Sequence, residues 1–228
     1  MFYLHLLFAV FLLGPSLLLA QENVRPEKAL CVVCALKDGE TESEKVKAFL
    51  EHAGKAYYFC SQDCKEEFDA DPAGYLPPEL PRPAPAVIVE TLAGESVALQ
   101  DFKGQWVFLD FWATWCKPCI KMMPKLQELY EAYADTGFVV LGVSIDDDEA
   151  RIKKIERFVK KVGVSYPIFS DAKQEQAWHM FNVKVLPAAF LIDPKGQVVA
   201  QWRGKIDHKK IEEEVARRMA PQEEIKHQ

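Results

Sequence analysis

The sequence predicts an α/β domain, a mixed sheet flanked by helices, preceded by a small cysteine-rich module. Three observations lead there. From about residue 86 to 218, apolar runs of strand length alternate with segments whose apolar residues recur at helical spacing, and strands alternating with helices require a sheet covered by helices. Just before that stretch, Pro72, Pro77, Pro78, Pro81, Pro83 and Pro85 crowd into 14 residues; proline lacks the N–H that helices and sheet ladders need, so this run separates two units. The six cysteines fall in three close pairs, two pairs before the proline run and one after it. The resulting division is a small module at 25–75, a linker at 76–85, the larger domain at 86–218 and a polar, flexible tail at 219–228.

The elements of the larger domain follow in order. Val87–Thr91 and Ser96–Leu99 flank Ala93-Gly94, a hairpin signal. Trp106–Phe111 is apolar throughout except for Asp110, as a central strand buried on both faces would be. Met122, Leu126, Leu129 and Tyr133 then recur at helical spacing, Phe138–Ser144 is a second buried strand, and Ile152, Ile155, Phe158, Val159 and Val162 form the next helical face. Pro167–Phe169, Ala189–Ile192 and Val198–Trp202 complete the sheet, and a last helix runs from about Asp207 to Met219.

Composition narrows the function classes. With 49% hydrophobic and 27% charged residues the 228-residue chain can bury a real core, which excludes wholesale disorder. A net charge of −6 argues against a nucleic-acid partner, which calls for a basic surplus. From Gln21 to Tyr75, 7 Lys and Arg stand against 12 Asp and Glu, so the small module holds most of that negative charge. Residues 2–20 contain no charged side chain, break at Gly14-Pro15-Ser16 and end in Leu-Leu-Ala before the polar Gln21, which reads as a secretory signal over 1–20 cleaved after Ala20. The stretch has no Lys or Arg at its start and carries Leu18 where a small residue is usual, so an uncleaved anchor is the alternative. Either way the protein is expected in the periplasm or cell envelope, or secreted, with no membrane span beyond this signal.

The chemistry centres on Trp115-Cys116-Lys117-Pro118-Cys119, where the central strand gives way to a helix. Two cysteines separated by two residues can close a small disulfide ring. At a helix N-terminus the unpaired N–H groups and the helix dipole favour thiolate over thiol at the first cysteine, and Lys117 adds positive charge in the same sense. Pro118 sits in the first turn, where a missing N–H costs nothing. A buried or metal-bound cysteine pair is the competing reading of the spacing alone. Asp110 is a second chemical signal, because an acid within a central strand is costly unless something uses it; burial should raise its pKa above about 3.9. A solvent-exposed strand edge is the alternative, disfavoured by the apolar Val107, Phe108, Leu109 and Phe111 around it.

The segment Phe108-Leu-Asp-Phe-Trp-Ala-Thr-Trp-Cys-Lys-Pro-Cys119 resembles the active-site segment of the thioredoxin superfamily. The resemblance runs over about 86–218 and includes an insert near 145–180 similar to that of the secreted TlpA/ResA-type branch. It implies a thioredoxin-like fold, a redox-active Cys116–Cys119 pair and a cis-proline at Pro187, since Val183–Asp193 (VKVLPAAFLID) resembles the family's cis-proline loop. It also implies that Asp110 is a proton acceptor near Cys119, and that Trp115, Lys117, Pro118 and Leu186 border the substrate. Leu186 departs from the Thr or other small residue common there, a change that bears on substrate preference. Peroxide chemistry is disfavoured: the P-x-x-x-T-x-x-C pattern of peroxiredoxins would need Thr and Pro where Cys116 has Ala113 and Leu109. Met122-Met123 reads as core, His179 as a helix-surface histidine, and Asp146-Asp147-Asp148 as an acidic cluster at a helix start.

In the small module Cys31-Val-Val-Cys34 suits a knuckle turn, and the four-residue offset from Cys60 to Cys64 would place both thiols on one helix face. About fifty residues build little core, so a cross-link or a metal must add stability. Four thiolates suit tetrahedral Zn²⁺, soft sulfur also suits Cu(I), and the alternatives are two structural disulfides, in an oxidising compartment, or free thiols. His52 reads as the surface of an amphipathic helix. The run Gly54-Lys-Ala-Tyr-Tyr-Phe-Cys60-Ser61 followed by Cys64, Phe68, Pro72 and Tyr75-Leu76 resembles the YHS module, related to metal-trafficking TRASH domains, over about 28–76. That resemblance implies metal binding by the cysteines. Two functions follow: an exported thiol–disulfide oxidoreductase, needing no cofactor in its redox domain but an external electron donor and protein disulfides as partners; or a metal-delivery protein in which the redox domain is accessory.

Overall fold

A computed structural model describes residues 25–171 and 176–220. The readings of 1–20 as a signal and of the chain beyond Ala220 as a tail fall outside those residues. Among the described residues no helix is long and apolar enough to cross a membrane.

The small module contains β1 (Lys28–Ala29), α1 (Val32–Lys37), β2 (Glu44–Lys45), a hairpin of β3 (Ala48–His52) and β4 (Lys55–Phe59), then α2 (Gln62–Ala70) and α3 (Pro72–Tyr75). Its core is correspondingly small: Phe59, Phe68, Val33, Tyr75 and Cys31, with Phe68 at the centre of an aromatic group that includes Tyr57. Two expectations are corrected here. His52 ends strand β3, edge-on to Phe68, and does not ride a helix. Cys60 follows β4 and only Cys64 lies on α2, because Ser61 caps that helix: its Oγ accepts from the Cys64 N–H at 3.1 Å, so the helix begins after Cys60.

The larger unit contains β5 (Arg82–Pro83), β6 (Ile88–Thr91), β7 (Ser96–Ala98), β8 (Trp106–Trp112), α4 (Lys117–Ala132), β9 (Phe138–Ser144), α5 (Arg151–Val162), β10 (Ile168–Ser170), α6 (Ala177–Met180), β11 (Ala188–Ile192), β12 (Gln197–Arg203) and α7 (His208–Met219). The strands form one mixed sheet in the order β5-β12-β11-β8-β9-β10-β6-β7. β8 lies at its centre, parallel to β9 and antiparallel to β11, with Asp110 opposite Gly142 on one side and Ala189 on the other. Alternation along β8 sends Phe108 and Trp112 into the core that contains Met122, Leu126 and Ile211, and Val107, Leu109 and Phe111 into the opposite one. Apolar layers on both faces explain why β8 and β9 read as continuous apolar runs.

The proline-rich stretch is anchored at its far end. Arg82 and Pro83 pair with Val198 and Gln197 of β12, so the chain enters the sheet before the hairpin. The two units also touch directly. The Arg203 guanidinium donates to the carbonyl oxygens of Gly74 at 2.6 Å and Leu76 at 2.9 Å, and Lys184 pairs with Asp71 at 2.8 Å.

Candidate redox site and thiol cluster

Strand β8 delivers the chain to the redox site at its C-terminal end, where α/β sheets place their chemistry. Cys116 caps α4 and is disulfide-bonded to Cys119, with Cα atoms 5.3 Å apart. The Cys116 Sγ accepts from the Cys119 N–H at 3.2 Å, so the first sulfur occupies the place of a helix-capping oxygen, where the orphan N–H groups would stabilise its thiolate. Cys116 is 5% exposed and Cys119 fully buried, whereas the neighbouring Trp115 is 66% exposed. Of the two cysteines, only the first therefore has any surface open to solvent. Lys117 and Pro118 lie exposed on the first turn.

Asp110 shares a face of β8 with Phe108 and Trp112, the face covered by the core that contains Cys119 and α4 residues. It is fully buried, and among the described residues neither carboxylate oxygen has a hydrogen-bond partner; the Trp112 Nε1 and Tyr166 hydroxyl are likewise unpartnered. Burial alone pushes the Asp110 carboxyl up to about 8. Gly142, its cross-strand neighbour, keeps the space tight: a Cβ there would lie 3.1 Å from the Tyr166 ring and 3.3 Å from Trp112 Nε1.

Pro187 follows a cis peptide bond and leads into β11, next to the active strand. Its carbonyl accepts from the Gly204 N–H at 2.9 Å. Pro118, Leu186 and Pro187 line one groove, so the proline loop and the first turn of α4 are brought together, while Leu186 is half-buried against the core.

Asp146 is the residue sequence reasoning missed. The acidic run does not open a helix: α5 begins only at Arg151, and Asp146 is buried. One of its oxygens accepts from the Thr114 N–H at 2.8 Å and the Ser144 hydroxyl at 2.6 Å, the other from the Thr114 hydroxyl at 2.6 Å. It therefore ties down the turn immediately before Trp115 and Cys116. The available signal was positional: Asp146 lies two residues past the end of a strand running parallel to the one that carries the cysteines.

In the small module the four remaining cysteines are unpaired and converge. Their sulfurs all lie within 4.8 Å of one another, with Cys34 to Cys60 at 3.4 Å and both Cys34 and Cys60 to Cys64 at 3.8 Å. A tetrahedron with metal–sulfur bonds of about 2.3 Å has edges of about 3.8 Å, so the donor set fits a tetrahedral thiophilic cation. Burial pushes the Cys60 thiol up to about 11 and, with the neighbouring thiols, raises Cys34 further, a protonated state that a bound cation would reverse.

A central strand feeding a helix capped by a disulfide-bonded cysteine, with a proline loop beside it, defines a thiol–disulfide oxidoreductase of thioredoxin fold. Residues 80–201 match the AhpC/TSA family, and the chain belongs to that family; residues 42–79 match the YHS domain. The chain is 37% identical over 135 residues to the thiol-disulfide oxidoreductase ResA of Bacillus thuringiensis subsp. konkukian, a match spanning 59% of this chain and 76% of that relative. Among solved structures, a putative thiol:disulfide interchange protein DsbE from Chlorobium tepidum aligns with a TM-score of 0.56 and 28% identity, covering 62% of this chain and 99% of that one. A thiol:disulfide interchange protein from a Bacteroides species aligns with a TM-score of 0.55 and 29% identity, over 65% and 95% of the two chains. Cys60 and Cys64 lie inside the YHS match, whereas Cys31 and Cys34 precede it.

Proposed function

We propose that the protein is exported, with residues 1–20 as its signal, and reduces protein disulfides in the cell envelope through Cys116 and Cys119. The Cys116 thiolate attacks a substrate sulfur, one substrate thiol leaves, and a mixed disulfide forms. Cys119 loses its proton to Asp110 and displaces the second substrate thiol, closing the Cys116–Cys119 disulfide. Two electrons have passed to the substrate, and an external dithiol donor must restore the pair. Trp115, Lys117, Pro118, Leu186 and Pro187 border the docking surface. The observation that carries this reading is the position of the Cys116 Sγ at the N-terminus of α4 with its buried partner beneath. An equilibrium titration of the full chain against a thiol–disulfide buffer, followed on the tryptic peptide that holds both cysteines, tests it. A potential near or below about −270 mV supports a reductant, one near about −120 mV makes the protein an oxidant, and a pair that never closes reversibly refutes the reading.

The sulfur cluster supports a second activity, metal binding by Cys31, Cys34, Cys60 and Cys64, with Zn²⁺ or Cu(I) as the cation. When bound, the cation would cross-link α1, the end of β4 and α2 around a core too small to hold them alone. Protein purified without chelator should contain one metal per chain, with four thiols shielded from alkylation. Metal-free protein with two disulfides in this module would refute it.

A further inference from the structure

A groove of roughly 380 Å³ is lined by Pro118, which lies between the two redox cysteines in sequence, and by Pro187, and both units build it. Asp38 and Gly39, just past the end of α1, form one wall; Pro118, Leu186 and Pro187 form the other. The walls are held in register. Gly204, whose N–H holds the Pro187 carbonyl, lies so close to α1 that a Cβ on it would stand 2.8 Å from the Leu36 carbonyl oxygen. Its φ of +68° is a second reason for glycine there. The flanking residues clasp the module too, Arg203 through Gly74 and Leu76, and Lys184, three residues before Pro187, through Asp71. The small module is thus fastened to both loops that frame the proline.

The charge of this groove runs against that of the chain. The protein carries −6, yet the groove presents Lys121 and Lys205, both exposed and without an ion-pair partner among the described residues. The stem of Lys205 lies along Gly39, so its ammonium is delivered at the seam between the units. Lys37, also in the lining, is committed to Glu67 at 3.0 Å, and among the described residues Asp38 is the lining's only carboxylate. We infer that this composite groove receives the extended segment around the target cysteine of a protein disulfide and selects segments with acidic side chains, the small module serving as a fixed specificity wall. The inference rests on the redox reading above and adds the substrate class to it.

Two synthetic peptides test it, each carrying its single cysteine in a mixed disulfide with the same small uncharged thiol, one flanked by Glu and the other by Lys. In each turnover of the pre-reduced full chain the Cys116–Cys119 dithiol becomes a disulfide and the peptide disulfide becomes two thiols, so electrons balance without further reagents. The second-order rate, corrected with the Cys116→Ser chain, should favour the Glu peptide about fivefold at low salt and lose most of that preference in concentrated salt. Lys121→Glu combined with Lys205→Glu should invert the ratio, and Asp38→Lys, a change confined to the small module, should raise it about threefold. Any effect of these substitutions on the cysteines themselves is common to both peptides and cancels in the ratio. Equal rates for the two peptides, or a ratio indifferent to the double substitution, overturns charge selection; a ratio indifferent to Asp38→Lys overturns the part given to the module. Failure of the wild-type chain to reduce even a small uncharged disulfide overturns the redox reading instead.

Discussion

Replacing Asp110 by Asn makes the buried carboxyl measurable. The side chain is fully buried between Gly142 and Ala189, with no hydrogen-bond partner among the described residues, and burial pushes its pKa up to about 8. In the unfolded chain the same group titrates near about 3.9. The folded state therefore holds its proton while the unfolded state has released it, so stability is full below about pH 4, falls as pH rises and levels off above about 8. At pH 7 the two states differ by about three pH units of ionisation; at about 1.4 kcal/mol per unit the native state is weakened by about 4 kcal/mol. Asn has the same shape and cannot ionise. Urea unfolding of the oxidised full chain at a series of pH values should show Asp110→Asn more stable by about 4 kcal/mol at pH 7, with the advantage shrinking by up to about 1.4 kcal/mol per unit towards pH 4. The constant cost of burying an amide shifts both ends equally, so the slope is the diagnostic quantity. A stability difference that stays flat between pH 4 and 8 would refute the reasoning. Turnover provides the second arm: if Asp110 accepts the Cys119 proton, wild-type resolution rises with pH through about 8, and the variant loses that limb along with about 10²-fold in rate.

Further expectations follow from the same geometry. Cys119→Ser should accumulate a mixed disulfide with substrate on the accessible Cys116, visible by mass on a non-reducing gel, while Cys116→Ser should trap nothing, since its partner is fully buried. Asp146→Ala leaves the Thr114 N–H and hydroxyl and the Ser144 hydroxyl without their acceptor and should lower stability by about 2–4 kcal/mol in denaturant unfolding, with slower attack by Cys116; a loss under about 0.5 kcal/mol would remove Asp146 from the support of the loop. Gly204→Ala forces a methyl against the Leu36 carbonyl in a left-handed backbone and should cost about 1–3 kcal/mol; the measurable sign is faster protease cleavage between the two units, and unchanged cleavage would mean that their contact does not depend on this approach.

Much of this protein is local, and local features are legible in a linear chain. The apolar run over β8, the helical spacing of Met122, Leu126 and Leu129 and the proline break are consequences of period and backbone chemistry, which act over a few residues. Cys116 and Cys119 are local too, three positions apart at a strand-to-helix junction, but the spacing alone left a buried or metal-bound pair open, and their redox role is what the resemblance of Phe108–Cys119 to the thioredoxin active-site segment implies. The errors lie where a neighbour distant in sequence decides. His52 ends a hairpin strand and not a helix face, because a short segment of mixed polarity takes its form from the surface it packs on, here Phe68 of α2. Asp146 looked like one of three equivalent acids until the parallel pairing of β8 with β9 set it beside Thr114.

The sequence by itself determined the α/β fold class and a set of cysteines able to converge, because periodicity, proline and thiol spacing are properties of neighbouring residues; the redox role of Cys116 and Cys119 entered through the resemblance of the segment that holds them. Only the tertiary structure decided that Asp110 is wholly enclosed, that four thiols spread over more than thirty residues meet within 4.8 Å, and that the module bearing them closes one side of the groove at Pro187. Burial and convergence depend on which surfaces the packed core presses together, and that choice belongs to the whole chain.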